Sequence, residues 1–404
     1  MTRRKTGVKE AAKTNERHKI KKKGENKPVT QNEIMTSRGT ARFLPRRIAQ
    51  LALLSAAILI SLAAAPRLHA QQQKPLASFK LDCRAFAVSS DGRVACATFR
   101  QLRFGHYTIE RDNIWMLTSK GKRKKIVDGE TLVKTPTPFS FSIRRVAFSP
   151  DGHRLTVQMT TAQVTNAQGD THSGQLVDLM TDDGKEIPVA GTKTSVIEDA
   201  KQADWLAGGD TVAYLLRDPD SELLYRIGLT HPSLGAGGAI FSGHFFTAVV
   251  WDAAHDSAIA IERDQALSGP IKLVRLDLLR GTDETLAILP GFIGQLSLSP
   301  RGDKVAYFRD GETLEVRSLA DPKTAIVVHC AYGTYAWGAN EQRILLKRGP
   351  EKQLSDLVWV SIPGGNLTPI LHDLVYHSFA VSPDGHTLAV TQPGNNKISI
   401  YPLP

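Results

Sequence analysis

Two short stretches of the chain place a serine, an aspartate and a histidine close together. "VAFSPDGHRLTV" begins at Val146, and "FAVSPDGHTLAV" begins at Phe379. These are the residue types of a hydrolytic triad, in which an oriented base must lie within hydrogen-bonding reach of the nucleophile. The stretches recur far apart in the chain, however, and Arg93, Asp303 and Gln342 replace the histidine in related copies. The pattern therefore favours a structural turn over a catalytic site.

The same motif aligns seven segments of the chain, each an apolar alternating run, a turn and a second alternating run. Their third residues are spaced 39 to 60 residues apart, which is typical of propeller blades with loops of variable length. These anchor residues are Val88, Phe148, Trp205, Trp251, Leu298, Trp337 and Val381. Each segment is predicted to form a β-hairpin, and we number the repeats one to seven in chain order.

The turns of these hairpins account for the conserved spacing of the motif within the chain. Proline presets φ, aspartate tolerates turn conformations, and glycine supplies the positive φ that closes the turn. The residues assigned to this structural role are Asp91, Gly92, Pro150, Asp151, Gly152, Pro300, Gly302, Pro383, Asp384 and Gly385.

The two ends of the chain complement each other. Six repeats continue into a third and a fourth strand, but the seventh ends after its third, "KISIY". The segment "LASFKLD", Leu76 to Asp82, precedes the first hairpin and has no partner there. Pairing it with the last strand would close a ring without a leftover strand. The sequence therefore predicts an all-β fold over residues 71–404, a seven-bladed β-propeller of four-stranded antiparallel blades, closed by the N-terminal strand.

The turns also carry a family resemblance. "SPDG" at 149–152 and 382–385, "SSDG" at 89–92 and "SPRG" at 299–302 resemble the TolB-type, WD-repeat-like propeller family. The resemblance implies a periplasmic or surface protein whose propeller docks other proteins. The chain departs from TolB itself, which has six blades and a separate N-terminal domain, so a specific TolB role does not transfer.

The net charge of +11 belongs to the leader of the chain. Residues 1–70 hold 16 of the 51 Lys and Arg residues and 4 of the 40 Asp and Glu residues, whereas residues 71–404 hold 35 basic and 36 acidic residues. A nucleic-acid partner is therefore not expected. Residues 1–34 are predicted to be a disordered basic extension or to precede the true start at Met35. Residues 35–70 are predicted to be a signal peptide or a signal anchor, with membrane contact only through the apolar run 48–65 if it stays uncleaved.

Two sets of residues are candidates for binding. Five arginines lie 11 or 12 residues past their anchors and would ring one face: Arg100, Arg217, Arg263, Arg309 and Arg348. They could form an anion-attracting rim, or they could pair locally with the acids that follow them. His106 and Tyr107 on the loop 100–112, and His172 on the loop 160–174, are further candidates because long loops on rigid scaffolds carry binding residues.

The remaining signals are weak. The histidines are dispersed without metal-ligand spacing, so no metal site and no cofactor are predicted. Cys83 and Cys96 flank the first hairpin on one face, either as a disulfide or as two buried thiols, with Cys330 left over.

These observations favour an exported, monomeric binding module with a protein partner. The alternative is a propeller enzyme, such as a lactonase-like hydrolase with its site at the channel mouth. An enzyme should converge three or more carboxylates or histidines in the channel, whereas a scaffold should present an apolar or aromatic rim.

Overall fold

The structure is a computed structural model, and it describes most of the chain after residue 72. The described ranges are 73–129, 139–164, 171–189, 192–209, 211–218, 224–230, 239–241, 244–252, 255–264, 266–291, 293–311, 313–329, 334–348, 355–374, 378–392 and 396–403. They belong to one compact unit, Leu68–Pro404. The predicted basic extension, the signal segment and Cys330 lie outside the described residues.

The first three repeats supply the first half of the strands. The strand that precedes them is β1 (Ala77–Phe79). Repeat one contains β2 (Cys83–Val88), β3 (Val94–Thr98), the inserted hairpin β4 (Gln101–Phe104) and β5 (Tyr107–Glu110), then β6 (Asn113–Leu117) and β7 (Arg123–Val127). Repeat two contains β8 (Phe139–Phe148), β9 (Arg154–Val164), β10 (Thr171–Thr181) and β11 (Val196–Glu198). Repeat three contains β12 (Ala200–Trp205), β13 (Val212–Arg217), β14 (Tyr225–Thr230) and β15 (Ala239–Ile240).

The later repeats follow the same order. Repeat four contains β16 (Phe245–Asp252), β17 (Ser257–Arg263), β18 (Ile271–Asp277) and β19 (Thr282–Leu289). Repeat five contains β20 (Ile293–Leu298), β21 (Lys304–Arg309), β22 (Thr313–Ser318) and β23 (Ala325–His329). Repeat six contains β24 (Tyr335–Trp337), β25 (Arg343–Arg348), β26 (Ser355–Ser361) and β27 (Leu367–Leu374). Repeat seven contains β28 (Phe379–Val381), β29 (Thr387–Gln392) and β30 (Lys397–Pro402).

The strands of each repeat pair antiparallel in chain order. The described strands form five separate four-stranded sheets, one eight-stranded sheet and the β4–β5 hairpin. Repeats three and four share the eight-stranded sheet, because Tyr225 of β14 pairs with Phe246 of β16. The number of separate four-stranded sheets is therefore five, where the sequence predicts seven blades.

Position within a repeat determines which strands are apolar on both faces. The second strands are covered on both sides, so β3 is buried at every residue and β17 at five consecutive residues. Strands covered in this way read as continuous apolar runs. The fourth strands lie at the outer edge, and β19 exposes its first four residues. This explains why the second runs of the repeats are so apolar.

Among the described residues, the core is divided into seven hydrophobic clusters, and each joins two successive repeats. One cluster packs Ile114 against Phe141, between repeats one and two, and another packs Trp359 against Tyr401, between repeats six and seven. The last cluster contains Cys96 of repeat one and Ile398 of repeat seven. The other four clusters join repeats two and three, three and four, four and five, and five and six.

The chain ends close the ring in the way that the sequence predicts. β1 pairs antiparallel with β30, with Ala77 opposite Ile400 and Phe79 opposite Ile398. Beside this pairing, a disulfide joins Cys83 and Cys96, whose Cα atoms are 5.5 Å apart. Of the two alternatives for these cysteines, the structure has the disulfide.

Two segments that were predicted to be long loops contain regular structure. The loop 100–112 includes the hairpin β4–β5, with Phe104 opposite Tyr107. Most of the segment 160–174 is strand, because β9 and β10 remain paired out to Val164 and Thr171. Threonine is abundant there, and this β-branched residue favours extended pairing.

Candidate binding site

The first strands of the repeats surround a cavity at one end of the propeller, which we call the axial funnel. Its volume is about 630 Å³, and its lining comes from the first strands and following turns of repeats two to seven. We call this end of the molecule the turn end, because the "SPDG"-type turns lie here. Six repeats contribute to one surface because each first strand enters its turn at the same level.

The walls of the funnel are largely apolar. The anchor residues Phe148, Trp205, Trp251 and Trp337 line it, and Pro150, Pro300 and Pro383 stand exposed at its mouth. Trp205 and Trp337 are only 5% and 7% exposed, because their rings pack between neighbouring repeats. The anchor position therefore serves the core and the funnel at once. Aromatic groups held in this way are suited to binding protein surfaces.

An ion pair links two repeats in the funnel wall. Arg145 Nη2 donates to both carboxylate oxygens of Asp204, at 2.7 and 2.8 Å, and Arg145 Nη1 donates to the carbonyl of Ala203 at 2.9 Å. Burial raises the pKa of the Asp204 carboxyl, and the neighbouring Arg145 guanidinium partly offsets that rise. One guanidinium nitrogen thus reaches both carboxylate oxygens while the other holds the main chain, and together these contacts fix the orientation of both side chains.

A β-bulge in β12 positions a second link between repeats. The register of β12 against β13 shifts between Lys201 and Asp204, and Gln202 adopts a φ of 48°. This turns the carbonyl of Gln202 toward repeat four, where it accepts a hydrogen bond from Trp251 Nε1 at 3.1 Å. The same irregularity occurs in β20, where Gln295 also lies three residues before its anchor and adopts a φ of 48°. Positive φ is uncommon for glutamine, so propensity alone does not predict the bulge.

A polar cleft adjoins the funnel between repeats four and five. Its volume is about 630 Å³, and Asp252, His255, Ser257, Asp277 and Asp303 are among its lining residues. His255 Nδ1 and Ser257 Oγ both contact Asp252 Oδ2, at 2.8 and 3.4 Å. A triad needs the histidine to bridge the serine and the acid, whereas here the acid lies between the other two. The cleft does not have the geometry of a nucleophilic relay.

The turns of the motif hold their serine, aspartate and glycine in one hydrogen-bonded unit. The amide of Gly152 donates to the carbonyl of Ser149 at 2.9 Å, and the hydroxyl of Ser149 bonds Asp151. His153 contributes its backbone amide, which donates to Asp151 Oδ1 at 3.0 Å, while its imidazole is 71% exposed. The turn Ser382–His386 repeats these contacts. These contacts are those of a turn that joins two strands.

The five candidate arginines lie at the opposite end of the propeller, which we call the arginine end. Arg217, Arg263, Arg309 and Arg348 are the last residues of the second strands β13, β17, β21 and β25, and Arg100 lies two residues after β3. Three of them make local contacts. Arg309 Nη1 lies 2.5 Å from Glu315 Oε1, Arg100 lies 3.8 Å from Asp128, and Arg263 Nη2 donates to the carbonyl of Leu267 at 2.5 Å.

Of the acids that follow three of these arginines in sequence, Asp218 and Asp264 have other partners, whereas Asp310 lies near its own arginine. Asp218 is bonded by Arg226 at 2.7 Å, and Asp264 accepts from Ser268 and Gly269. Asp310 lies 3.6 Å from Arg309. None of the five arginines lines the axial funnel among the described residues.

The three loop candidates are spread over two repeats. His106 is exposed in the turn of the hairpin β4–β5, and Tyr107 is the first residue of β5. His172 lies in β10, opposite Gln163 of β9. The structure describes the side chain of His106 but not those of Tyr107 and His172.

One group of described side chains raises the question of a metal ion. His244, Glu262 and Asp283 could each supply one ligand. Lys272 Nζ lies 3.4 Å from Glu262 Oε2, which places a cation where a metal would bind. The possible ligand atoms of the three residues lie within 4.8 Å of one another. Glu262 is already engaged by His244 at 2.9 Å and by Lys272, and Asp283 is exposed, so the contacts favour an ion-pair cluster over a metal centre.

Comparisons with known proteins show the fold. A chain in the crystal structure of the Mitotic Checkpoint Complex is similar with a TM-score of 0.51 and 13% identity, over 84% of this chain and 96% of that one. The β-propeller domain of Cps50 (Swd1) from Myceliophteria thermophila is similar with a TM-score of 0.52 and 14% identity, over 80% of this chain and 97% of that one. Both are propellers of the WD-repeat type. The described chain is therefore an all-β propeller.

Sequence comparisons do not extend this result. No protein-family model matches the chain, and no curated protein is similar to it in sequence. Within the described ranges, the structure contains no helix with the length and apolarity needed to cross a bilayer.

Proposed function

We propose that this protein is an exported, monomeric propeller that binds a protein partner at its axial funnel. The observation that carries the proposal is the character of the funnel: three tryptophans, one phenylalanine and three exposed prolines around a cavity of about 630 Å³. Its described lining includes two carboxylates and no histidine. One carboxylate is engaged by Arg145, and the other by His255 and Ser257. This pattern favours an aromatic docking rim over the converging acids that an enzyme would need.

The relatives in structure support a role in assembly. One neighbour in fold is part of the Mitotic Checkpoint Complex. The resemblance of the "SPDG" turns to TolB-type propellers also implies docking of other proteins. As part of the proposal, we infer that this chain likewise docks another protein and takes part in an assembly.

Site-directed photocrosslinking tests the funnel directly. A photoreactive amino acid is placed at Pro150, Pro300 or Pro383, and the matched control is placed at Lys120, an exposed residue in the turn before β7. We expect the three funnel positions to capture the same protein from the exported fraction, and Lys120 to capture none of it. Equal capture from Lys120, or no common product from the funnel positions, would overturn the proposal.

The export signal forms a separate part of the proposal. Cleavage after Ala70 would release the propeller into the periplasm or the extracellular space, and retention of residues 48–65 would leave it anchored. N-terminal sequencing of the exported protein tests the cleavage. A start within residues 71–75 is expected, and an intact segment 35–70 would refute it.

The propeller is proposed to have seven blades, with repeats three and four as separate blades. Two observations support this count: one residue pair, Tyr225 with Phe246, joins the two repeats, and seven core clusters follow one another around the ring. An experimental structure tests the count. A continuous ladder between β14 and β16 would make repeats three and four one blade.

A further inference from the structure

A second cavity lies at the arginine end, and we call it the lateral cavity. Its volume is about 410 Å³, and its lining comes from three successive repeats: Lys201 and Tyr225 of repeat three, Ile261, Arg263 and Ile271 of repeat four, and Ile293 of repeat five. Small-molecule sites commonly have volumes of about 300–1,000 Å³. The lateral cavity therefore has the size of a site for a small molecule.

The walls of the lateral cavity are apolar. Ile261 is 2% exposed, and Ile271 and Ile293 are each 9% exposed. The ring of Tyr225 adds an aromatic surface on the side of repeat three. Side chains of this kind would bind the hydrocarbon body of a ligand through burial of apolar surface.

Two cations face these apolar walls. Lys201 Nζ lies 3.2 Å from the centroid of the Tyr225 ring, and Arg263 Nη2 donates to the carbonyl of Leu267. Arg263 Nε is buried and has no hydrogen-bond partner among the described residues. No carboxylate in the described part of the chain lies within salt-bridge distance of either cation.

The combination of apolar walls with two cations defines the ligand chemistry. Charged groups that are removed from water are normally paired with opposite charges. An arginine presents its donors in a planar fork that matches a carboxylate, and a lysine adds a compact charge beside it. We propose that the lateral cavity binds a small carboxylate with an apolar body, such as an alkyl or aryl carboxylate. This site is separate from the axial funnel, and the proposal does not depend on the funnel's partner.

Isothermal titration calorimetry with the chain from residue 71 onward tests this inference. The probes are straight-chain carboxylates of increasing length and 3-phenylpropanoate, each compared with its primary amide, which has the same shape and no charge. We expect each carboxylate that binds to bind about tenfold or more tightly than its amide, because hydrogen bonds to charged groups are the stronger ones. Affinity should also rise with chain length up to the capacity of the cavity and fall with added salt.

Two variants locate the site. Arg263→Gln and Lys201→Met should each weaken carboxylate binding about tenfold and leave amide binding unchanged. The matched control is Arg348→Gln, because Arg348 also ends the second strand of its repeat but does not line the lateral cavity. Arg348→Gln should bind the carboxylates as the unsubstituted protein does.

Several outcomes would overturn the inference, and the first two need no variant. The first is equal affinity for a carboxylate and its amide. The second is that none of the probes gives a heat of binding. If inorganic phosphate binds as tightly as the best carboxylate, the apolar walls do not select the ligand. If Arg348→Gln weakens binding as much as Arg263→Gln, the effect comes from overall charge and not from this cavity.

Discussion

The turn end and the arginine end of the propeller differ in how repeated residues are used. At the turn end, the repeated anchor residues of six repeats meet around one axis and form the axial funnel. At the arginine end, five arginines repeat just as regularly, yet Arg100, Arg263 and Arg309 contact partners within their own repeats. Regular spacing in the sequence predicts equivalent positions, but it does not predict that side chains at those positions meet.

The contacts between repeats explain the difference. At the turn end, Arg93 donates to the carbonyl of Gly152 in the next repeat at 2.9 Å, Arg145 pairs with Asp204, and Trp337 Nε1 donates to Ser297 Oγ at 2.9 Å. These side chains cross from one repeat to its neighbour and hold the funnel wall. At the arginine end, the lateral cavity combines one of the repeated arginines, Arg263, with residues that do not repeat, such as Lys201 and Tyr225. We therefore expect substitutions at the turn end to have larger effects on stability.

The largest effect is expected at a glycine that lies where two repeats touch. Gly385 has a φ of 71°, and a Cβ there would lie 2.3 Å from the backbone nitrogen of Ala339 in the preceding repeat. Gly385→Ala should lower the free energy of unfolding by about 3 kcal/mol, since backbone strain and a clash with a neighbouring main chain add. Urea denaturation monitored by tryptophan fluorescence measures the change.

The matched control for Gly385 lies at the arginine end. Gly105 has a similar φ of 59°, but a Cβ there would meet nothing within 4 Å. Gly105→Ala should therefore lower the free energy of unfolding by only about 1 kcal/mol, from the left-handed conformation alone. Equal losses at the two positions would contradict the idea that the turn end is where the repeats lock together.

Replacement of a buried acid that has no link to a neighbouring repeat should change the free energy of unfolding in the opposite direction. Asp178 of β10 is 4% exposed, its Oδ1 has no hydrogen-bond partner among the described residues, and burial raises its pKa from 3.8 to about 6. The folded state therefore binds a proton more tightly than the unfolded state. Stability from this group is fully present below pH 3.8 and is lost as the pH rises through about 6.

Replacement of this acid should stabilise the protein at neutral pH. Asp178→Asn should raise the free energy of unfolding at pH 7 by up to about 3 kcal/mol, the value of the pKa difference, and should have little effect near pH 4. Denaturation midpoints from pH 4 to pH 8 measure this. A gain that does not change with pH would show that ionisation of Asp178 is not its source.

The third comparison is between the effects on stability of replacing an arginine at the turn end and an arginine at the arginine end. Arg145→Met leaves the partly buried Asp204 without its partner and should lower the free energy of unfolding at pH 7 by about 1–2 kcal/mol. Arg309→Met should lower it by no more than about 1 kcal/mol, because Glu315 keeps its contacts with Arg317 at 3.0 Å and Tyr307 at 2.7 Å.

The pH dependence identifies the source of the Arg145 effect. Burial already raises the pKa of Asp204, and loss of Arg145 should raise that pKa further. The variant should therefore be closest to the unsubstituted protein at low pH, where Asp204 is neutral, and should fall behind as the pH rises through the pKa of Asp204. The double variant Arg145→Met with Asp204→Leu should recover most of the loss, and failure to recover would point to packing.

The architecture was largely readable from the sequence because it depends on spacing. The positions of the hairpins and the pairing of β1 with β30 follow from the motif and from the missing fourth strand of repeat seven. The disulfide could be placed only as one of two alternatives, since Cys83 and Cys96 fit both a bridge and buried thiols. The regular strand pairing at Val164 and Thr171 was missed because a polar, threonine-rich stretch gives no core-facing pattern.

The binding surfaces were much harder to predict. Arg145 and Asp204 lie 59 residues apart. The other repeats do not carry an arginine and an aspartate at the positions equivalent to these two. The lateral cavity also depends on residues outside the motif, such as Lys201 and Tyr225. A single sequence reveals what repeats, whereas contacts between repeats arise from the residues in which the repeats differ.

The smallest expected effect follows from one such difference. Ser297 directly precedes the anchor of repeat five, and its hydroxyl accepts the hydrogen bond of Trp337 Nε1 from repeat six. Ala147 holds the equivalent position in repeat two, and Nε1 of Trp205, the anchor of repeat three, is buried with no hydrogen-bond partner among the described residues. A buried donor without an acceptor destabilises the folded state. By analogy with Ser297 and Trp337, we infer that the missing hydroxyl at residue 147 leaves this indole unpaired.

Supplying that hydroxyl tests whether the turn end is held by equivalent links between repeats. Ala147→Ser should raise the free energy of unfolding by about 0.5–1 kcal/mol, the net value of one hydrogen bond. Ser297→Ala, the matched reverse change, should lower it by at least as much, because Ser297 also contacts the Tyr335 hydroxyl at 3.0 Å. If Ala147→Ser lowers stability while Ser297→Ala does so too, the two positions are equivalent in sequence but not in geometry. The comparison between the two ends would then rest on individual contacts and not on the repeat.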